Sequence, residues 1–488
     1  MDGALKRLAA SGLAYQAASL LAALLALFTL PLYTRSLTEA DFGYAETILT
    51  LVILASILLR FGLGEAFVRY WHGADGPDAR RRLARTTTGF VLVSTTVALV
   101  AGILLAGPLS ELILGTRNSM LMAYGVLGIW TFTNLEVAYS ILRVDERRRA
   151  YLVASATNVV LTVALTVTLV VILDQGARGY VLGNYAASGV VLLGLWLFAV
   201  REHIGLPRGG VQLGGLLRFG APMIPADAAV FLLNVIDRAW LLRAESPAAA
   251  GLYSVAIKLA TAVIILVRGF QLAWPPMAYS IGSDREAQAL YARVTTAYIA
   301  IAALMVAGFA LLGRWVVRLL AAPDFFGAHT ALPWLALGWA LYGLYLVLVT
   351  IAGRAEVTIR TLPAAALGVA VNVGLLVLLV DPLGIVGAAL ALCAAYVAML
   401  FALFFLTRGA FHVPFQWRRL VPIVLVSGSL AVAGDLLVPT SGAGGFLARL
   451  AVLALIPPLR VAARAVRLDE IRALVAAVRS MRGGQAAQ

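Results

Sequence analysis

The sequence predicts an all-α integral membrane protein of about fourteen transmembrane helices, N-in and C-in. Three observations carry this expectation. Of 488 residues, 62% are hydrophobic and 13% charged, with mean hydropathy +0.93, whereas a soluble chain is roughly 45–50% apolar and about 25% charged. Apolar stretches able to cross ~30 Å of hydrocarbon recur from end to end, with no polar segment large enough to form a separate soluble domain. Arginine gathers in alternate connections, as topology requires.

Runs of about 20 apolar residues place helices 1 to 6 over roughly 8–33, 43–66, 86–107, 120–143, 150–173 and 180–200. Helices 7 to 12 fall over roughly 218–242, 251–277, 291–312, 331–351, 362–380 and 384–406. Two shorter runs, near 421–438 and 444–463, are separated by Pro439 to Gly445. The first run follows Lys6 and Arg7 and reaches Pro31-Leu32-Tyr33-Thr34-Arg35 without a small-residue cleavage site, so it reads as a retained helix. With the N-terminus inside, inner loops receive Arg80, Arg81, Arg82, Arg85, Arg147, Arg148, Arg149, Arg201, Arg208, Arg408, Arg418 and Arg419. Outer loops receive only the scattered Arg35, Arg117, Arg178, Arg243, Arg314, Arg318 and Arg449. The tail from Arg460 to Arg482 alternates arginine with aliphatic residues, which suits either an amphipathic helix on an anionic inner leaflet or a solvated basic tail.

An internal repeat organises the chain. Arg35, Gly43 and Arg60 recur as Arg243, Gly251 and Arg268, each 208 positions on, in similar settings of helix end, polar turn and helix start. The displacement spans an even number of helices, so the halves share one orientation and a pseudo-twofold along the membrane normal. The expected domains are two six-helix bundles, 1–205 and 206–410, facing each other across a central cavity, followed by two extra helices and a basic cytoplasmic tail over 411–488.

Several chemistries lack their signatures. The net charge of +14 sits in short clusters between apolar runs and does not cover one face of a fold, which argues for membrane topology over nucleic acid. Cys393 is the sole cysteine, so neither an intramolecular disulfide nor a thiolate metal cluster is expected. There is no G-x-x-x-x-G-K-[ST] loop and no H-E-x-x-H, and His72, His203, His329 and His412 fall in separate predicted loops. The expectation is a non-enzyme with no catalytic residue, metal or cofactor.

Ionisable groups inside apolar runs point to function, because a charge at the bilayer centre costs at least ~2.5–3.5 kcal/mol and faces a partner or a wet cavity. Lys258 lies well inside helix 8, too deep to reach the interface easily, and reads either as a substrate-attracting cation or as an ion pair with helix 7. Arg268 and its repeat mate Arg60 lie near helix ends, where snorkelling competes with function. As equivalents in two bundles they would bring two guanidinium groups near the pseudo-axis, where they repel unless an anion such as a phosphate lies between them. In helix 7, Asp227, Asn234 and Arg238 share a stripe while Asp237 points roughly 80° away. The stripe suits a cavity lining or an internal polar seam, and Asp227 also suits a protonation site for ion coupling. Pro222 and Pro225 break the backbone ladder near its start. Glu136 in helix 4 suits a structural pair with an arginine, with ion coupling as its other candidate role, and Asn134, Asn158 and Asn372 suit helix-to-helix hydrogen bonds.

These residues also carry a resemblance. Leu30-Pro31-Leu32-Tyr33-Thr34-Arg35 followed by Leu37-Thr38-Glu39-Ala40-Asp41-Phe42-Gly43 resembles the opening of bacterial polysaccharide (O-antigen) flippases. Phe219-Gly220-Ala221-Pro222-Met223-Ile224-Pro225, Ile236-Asp237-Arg238, the stretch from Ala250 to Lys258, and Trp274-Pro275-Pro276-Met277 are similar to the same family over nearly the whole chain. The resemblance implies the multidrug/oligosaccharidyl-lipid/polysaccharide exporter superfamily: alternating access, a cationic central cavity, and an oligosaccharide cargo on undecaprenyl diphosphate, carried outward across a bacterial plasma membrane. In that reading Arg60, Lys258, Arg268 and Arg35 attract the anionic cargo, while Asn234, Asp237 and Arg238 line its path. Membrane lipids, a coupling ion (H+ or Na+) and other polysaccharide assembly proteins are the implied partners. Competing expectations are a cation-coupled drug antiporter, which would need an anionic cavity, and a membrane-embedded polymerase or ligase, which would need a sizeable outer loop.

Overall fold

The computed structural model describes residues 25–205, 210–221, 224–233 and 235–466. The start of predicted helix 1, Asn234, the side chain of Asp227 and the tail beyond 466 lie outside the described residues. Among the described residues every regular element is helical: α1 (25–36), α2 (Glu39–Leu59), α3 (Leu63–His72), α4 (Gly76–Leu104), α5 (Ala106–Leu114), α6 (Ser119–Val144), α7 (Arg148–Val167) and α8 (Gly176–Gly194). Then follow α9 (Gly210–Gly220), α10 (Ile224–Leu233), α11 (Ile236–Ala244), α12 (Pro247–Leu259), α13 (Thr261–Tyr279) and α14 (Asp284–Leu320). The chain continues with α15 (Leu332–Arg354), α16 (Thr361–Thr407), α17 (Trp417–Leu437) and α18 (Gly442–Ala462). Among the described residues nine helices are long and apolar enough to cross a membrane, or eleven if each bent pair counts as one span. The protein is a multi-pass membrane protein.

Where the helices depart from the apolar runs, local backbone chemistry explains it. Predicted helix 2 ends early because Phe61 and Gly62 take φ 49° and 68°, which close α2 and turn the chain into α3. Predicted helix 7 is divided into α9, α10 and α11, and predicted helix 8 bends by 49° between α12 and α13. Gly384, at φ 55° and ψ −132°, interrupts α16 two residues after Pro382. A Cβ on Gly387 would lie 2.0 Å from the Leu379 carbonyl oxygen, a contact no straight helix allows between residues eight apart, so the chain doubles back there. This separates predicted helices 11 and 12. Thr38 starts α2 by accepting the Asp41 amide at 3.1 Å and donating its hydroxyl to the Asp41 carboxylate at 2.8 Å, a reciprocal cap.

The chain packs as two units. Met1–Lys258, Leu320–Ala328 and Gly368–Leu392 form one; Leu259–Leu319, His329–Leu367 and Cys393–Gln488 form the other. In the first, α2, α4, α6, α7 and α8 pack side by side over buried residues including Leu63, Phe67, Trp71, Leu135 and Leu192. In the second, α13 packs on α15 around Val263, Val267, Tyr298 and Ala336. Its α17–α18 pair is pinned by arginines. Arg449, expected in an outer loop, is 1% exposed inside α18. It donates to the carbonyls of Asp435, Val438 and Pro439 at 3.1–3.2 Å, closing the end of α17, and pairs with the Asp435 carboxylate at 3.0 Å. Arg314 and Arg318, also expected in a loop, lie in the last turns of α14, because that 37-residue helix runs past its apolar stretch.

Candidate functional site

Two helix starts meet in the first unit. A Cβ on Gly43 of α2 would lie 2.0 Å from the Pro247 carbonyl oxygen, and a Cβ on Gly251 of α12 would lie 2.0 Å from that of Glu39. Only residues without a side chain permit this approach. The contact is reciprocal, since Gly43 with Gly251 and Glu39 with Pro247 are both pairs 208 positions apart. A residue meeting its own counterpart is the mark of a twofold contact.

One turn further along α2 the close approach brings charges together. Glu46 is buried, with a side chain 7% exposed. Its Oε1 lies 2.8 Å from Lys258 Nζ of α12 and accepts the Tyr180 hydroxyl of α8 at 3.0 Å. Its Oε2 stands 3.6 Å from Nη1 of Arg238 on α11. That Nη1 donates to Thr50 Oγ1 at 2.5 Å, and Thr50, one turn beyond Glu46, donates in turn to the Glu46 carbonyl at 2.7 Å. Lys258 Nζ donates to the Tyr180 hydroxyl at 3.4 Å and sits 5.7 Å from the Phe42 ring centroid. Two cations therefore face one carboxylate, and the trio carries a surplus positive charge. With Arg238 12% and Lys258 22% exposed at the side chain, the pairs are largely shielded from solvent, so losing the carboxylate leaves two facing cations uncompensated at a cost of roughly 3–5 kcal/mol.

Asp237 forms a second polar centre on another face of α11. It is 1% exposed, its Oδ2 accepts the buried Tyr253 hydroxyl at 2.8 Å, and its Oδ1 has no hydrogen-bond partner. Asn372 approaches the same carboxylate without reaching hydrogen-bond geometry.

The structure gathers Lys258 and Arg238 and sets Asp237 beside them in sequence but in separate contacts. Among the described residues Lys258 pairs with Glu46 of α2. Of the other expected site residues, Arg60 caps α2 and donates from Nε to the Ser56 carbonyl at 3.2 Å. At ~1.5 Å per residue it is about 20 Å along α2 from Glu46. Arg268 is exposed on α13, and Arg35 is exposed on α1. Glu136 is half-buried on α6 and makes no ion pair among the described residues, so the expected pairing with an arginine is not found there. Asn134 behaves as helix glue, donating to Thr95 Oγ1 at 3.0 Å and the Trp130 carbonyl at 2.8 Å. Glu46, the residue sequence reasoning missed, carried a usable signal: it is a carboxylate inside an apolar run, the same criterion that marked Lys258. Tyr180 and Tyr253 carried none, since tyrosines abound at membrane interfaces.

The sequence profile of the polysaccharide biosynthesis protein family matches residues 8–280. No curated protein sequence matches the chain. Among solved structures, the inward closed conformation of the lipid II flippase MurJ superposes with a TM-score of 0.75 at 14% identity, covering 94% of this chain and 99% of that one. An inward-facing multidrug resistance MATE family transporter of the MOP superfamily gives 0.64 at 15% identity, over 79% of this chain and 94% of that one. The Vibrio cholerae MATE transporter VcmN in its bent form gives 0.52 at 18% identity, over 84% and 99%. With the profile matching more than half the chain, and these helices arranged as in MurJ and the MATE transporters, the chain belongs to the polysaccharide biosynthesis protein family.

Proposed function

We propose that the protein is a flippase that moves a lipid-linked oligosaccharide or polysaccharide repeat unit, carried on a polyprenyl diphosphate, from the inner to the outer leaflet of a bacterial plasma membrane by alternating access. The observation that carries this reading is the positive surplus around Glu46, where Lys258 and Arg238 are held by helices of a membrane-spanning fold. A diphosphate offers the several acceptor oxygens that an ammonium and a guanidinium fork can share. Family membership supports a glycan cargo, and the likeness to a lipid II flippase supports a lipid-linked one. The reciprocal Gly43/Gly251 contact, between positions 208 apart, supports the repeat that relates 1–205 to 206–410, with that crossing as a pivot. Arg35, Arg60 and Arg268 belong in this reading to the cargo's approach and exit, and an H+ or Na+ gradient supplies the energy. No bond in the cargo changes.

The test is to replace Lys258 and Arg238 singly by glutamine and to measure surface glycan together with lipid-linked precursor in cells. Export is expected to fall at least about tenfold while precursor accumulates; undiminished export at normal protein abundance removes both residues from the mechanism. A second reading, cation-coupled drug antiport, draws on Asp237, a buried carboxylate with one oxygen unpartnered. Loss of drug resistance with intact glycan export on deletion would favour it.

A further inference from the structure

Glu46 works against the function proposed above. A carboxylate between the two cations of an anion site repels the phosphate the site would take, and a serine or glutamine at this position would leave both cations open to it. Its surroundings are nonetheless built to hold it: one oxygen is shared by Lys258 Nζ at 2.8 Å and the Tyr180 hydroxyl at 3.0 Å. Arg238 is left under-served. Its 3.6 Å separation from Oε2 exceeds hydrogen-bond length, Nη1 donates to a hydroxyl, and Nε is buried without a partner. A guanidinium offers five N–H donors in a fork that fits two acceptor oxygens, and a carboxylate already engaged by a lysine and a tyrosine does not fill it. The trio therefore has the composition of an anion site occupied by an imperfect anion.

Its placement adds a mechanical consequence. Glu46 is on α2, while Lys258 and Arg238 are on α12 and α11, so the ion pairs tie α2 to both helices next to the Gly43/Gly251 crossing. We propose that Glu46 is a resident stand-in for the phosphate oxygens of the cargo, and that this carboxylate latches α2 to α11 and α12 while the site is empty. An incoming diphosphate takes Lys258 and Arg238, fills the open donors of the guanidinium, and displaces Glu46 from both cations and from the Tyr180 hydroxyl. The helices are then free to part only when cargo is present. The inference rests on reading the cluster as a diphosphate site.

The experiment uses the full-length protein in phosphatidylcholine nanodiscs, with farnesyl diphosphate as the probe. Affinity is measured by equilibrium binding, and the tie between helices by amide hydrogen exchange in α2 and α12. In the wild type, probe is expected to bind and to speed exchange in both helices. E46Q keeps the size and a hydrogen bond to Tyr180 but loses the competing charge. It is expected to bind the probe about tenfold or more tightly, and to exchange fast in α2 and α12 without probe. A purely structural role predicts the opposite sign for binding, because damage weakens a site. Monodisperse E46Q with wild-type affinity, or with wild-type exchange, overturns the proposal. Should E46Q not yield folded protein, Y180F carries the test: it removes the hydroxyl that holds the carboxylate, keeps every charge, and is expected to tighten binding about threefold, with unchanged affinity overturning the latch. K258Q separates the two levels. Probe binding that survives in K258Q refutes the diphosphate site itself, whereas binding lost in K258Q but unchanged in E46Q refutes the latch alone.

Discussion

Adding one methyl group at the α2/α12 crossing tests the geometry on which the cluster depends. In Gly43→Ala the new Cβ would stand 2.0 Å from the Pro247 carbonyl oxygen and 2.9 Å from the Gly251 nitrogen, and in Gly251→Ala it would stand 2.0 Å from the Glu39 oxygen. Carbon and carbonyl oxygen settle no closer than about 3.3 Å, so the helices must separate by more than ~1 Å or bend. Overpacking of this kind costs ~1–3 kcal/mol. The strain also reaches the site, because the 2.8 Å Glu46–Lys258 pair bridges the same two helices one to two turns away. Each alanine variant is expected to lower thermal stability in detergent by that amount and to reduce glycan export. One separation relieves both clashes, so the double variant should lose less than the sum of the singles, with a coupling of at least ~0.5 kcal/mol. If both single variants unfold within about 0.5 kcal/mol of wild type and export normally, the close crossing is not a feature of the working protein.

Two further outcomes follow from the same kind of reasoning. Arg449→Met is expected to destabilise the α17–α18 pair by roughly 1–3 kcal/mol, since it strips three α17-end carbonyls of their buried donor, while the Asp435 carboxylate, 59% exposed, is taken up by solvent; proteolysis between 438 and 442 would report it. His203, just past the span that ends at Ala199, has a buried Nδ1 without a partner, and burial holds its pKa below the usual 6.5. The unfolded chain therefore binds a proton that the folded chain refuses, so its contribution is complete above pH ~6.5 and is lost as pH falls below that value. Thermal unfolding between pH 5 and 8 should show this decline, and His203→Phe should flatten it.

The membrane class and most helix positions were legible because they follow from apolar length alone. Helix breaks were not. Phe61-Gly62, Ala260 and Gly384 sit among residues that are equally apolar on both sides of the bend, so hydropathy passes through them unchanged. Arg449 was misplaced for a related reason: counting arginines for orientation assumes that they stand at helix ends, and this one is consumed in closing α17. In the site, Lys258 stood out because its charge is costly at that depth, and Arg238 because of its stripe. Their partner Glu46 lies about two hundred positions away, and the pairing exists only because two glycines let α2 and α12 touch. The repeat that relates those glycines was visible in the sequence; that repeat mates would meet face to face was not.

The most direct measurement is flipping itself. Purified protein reconstituted into liposomes with a fluorescent polyprenyl-diphosphate oligosaccharide should move the probe between leaflets, as read by quenching of outward-exposed label. Rates should fall at least about tenfold in K258Q and R238Q, with both variants folded. Equal rates in wild type, the two variants and protein-free liposomes would contradict the account.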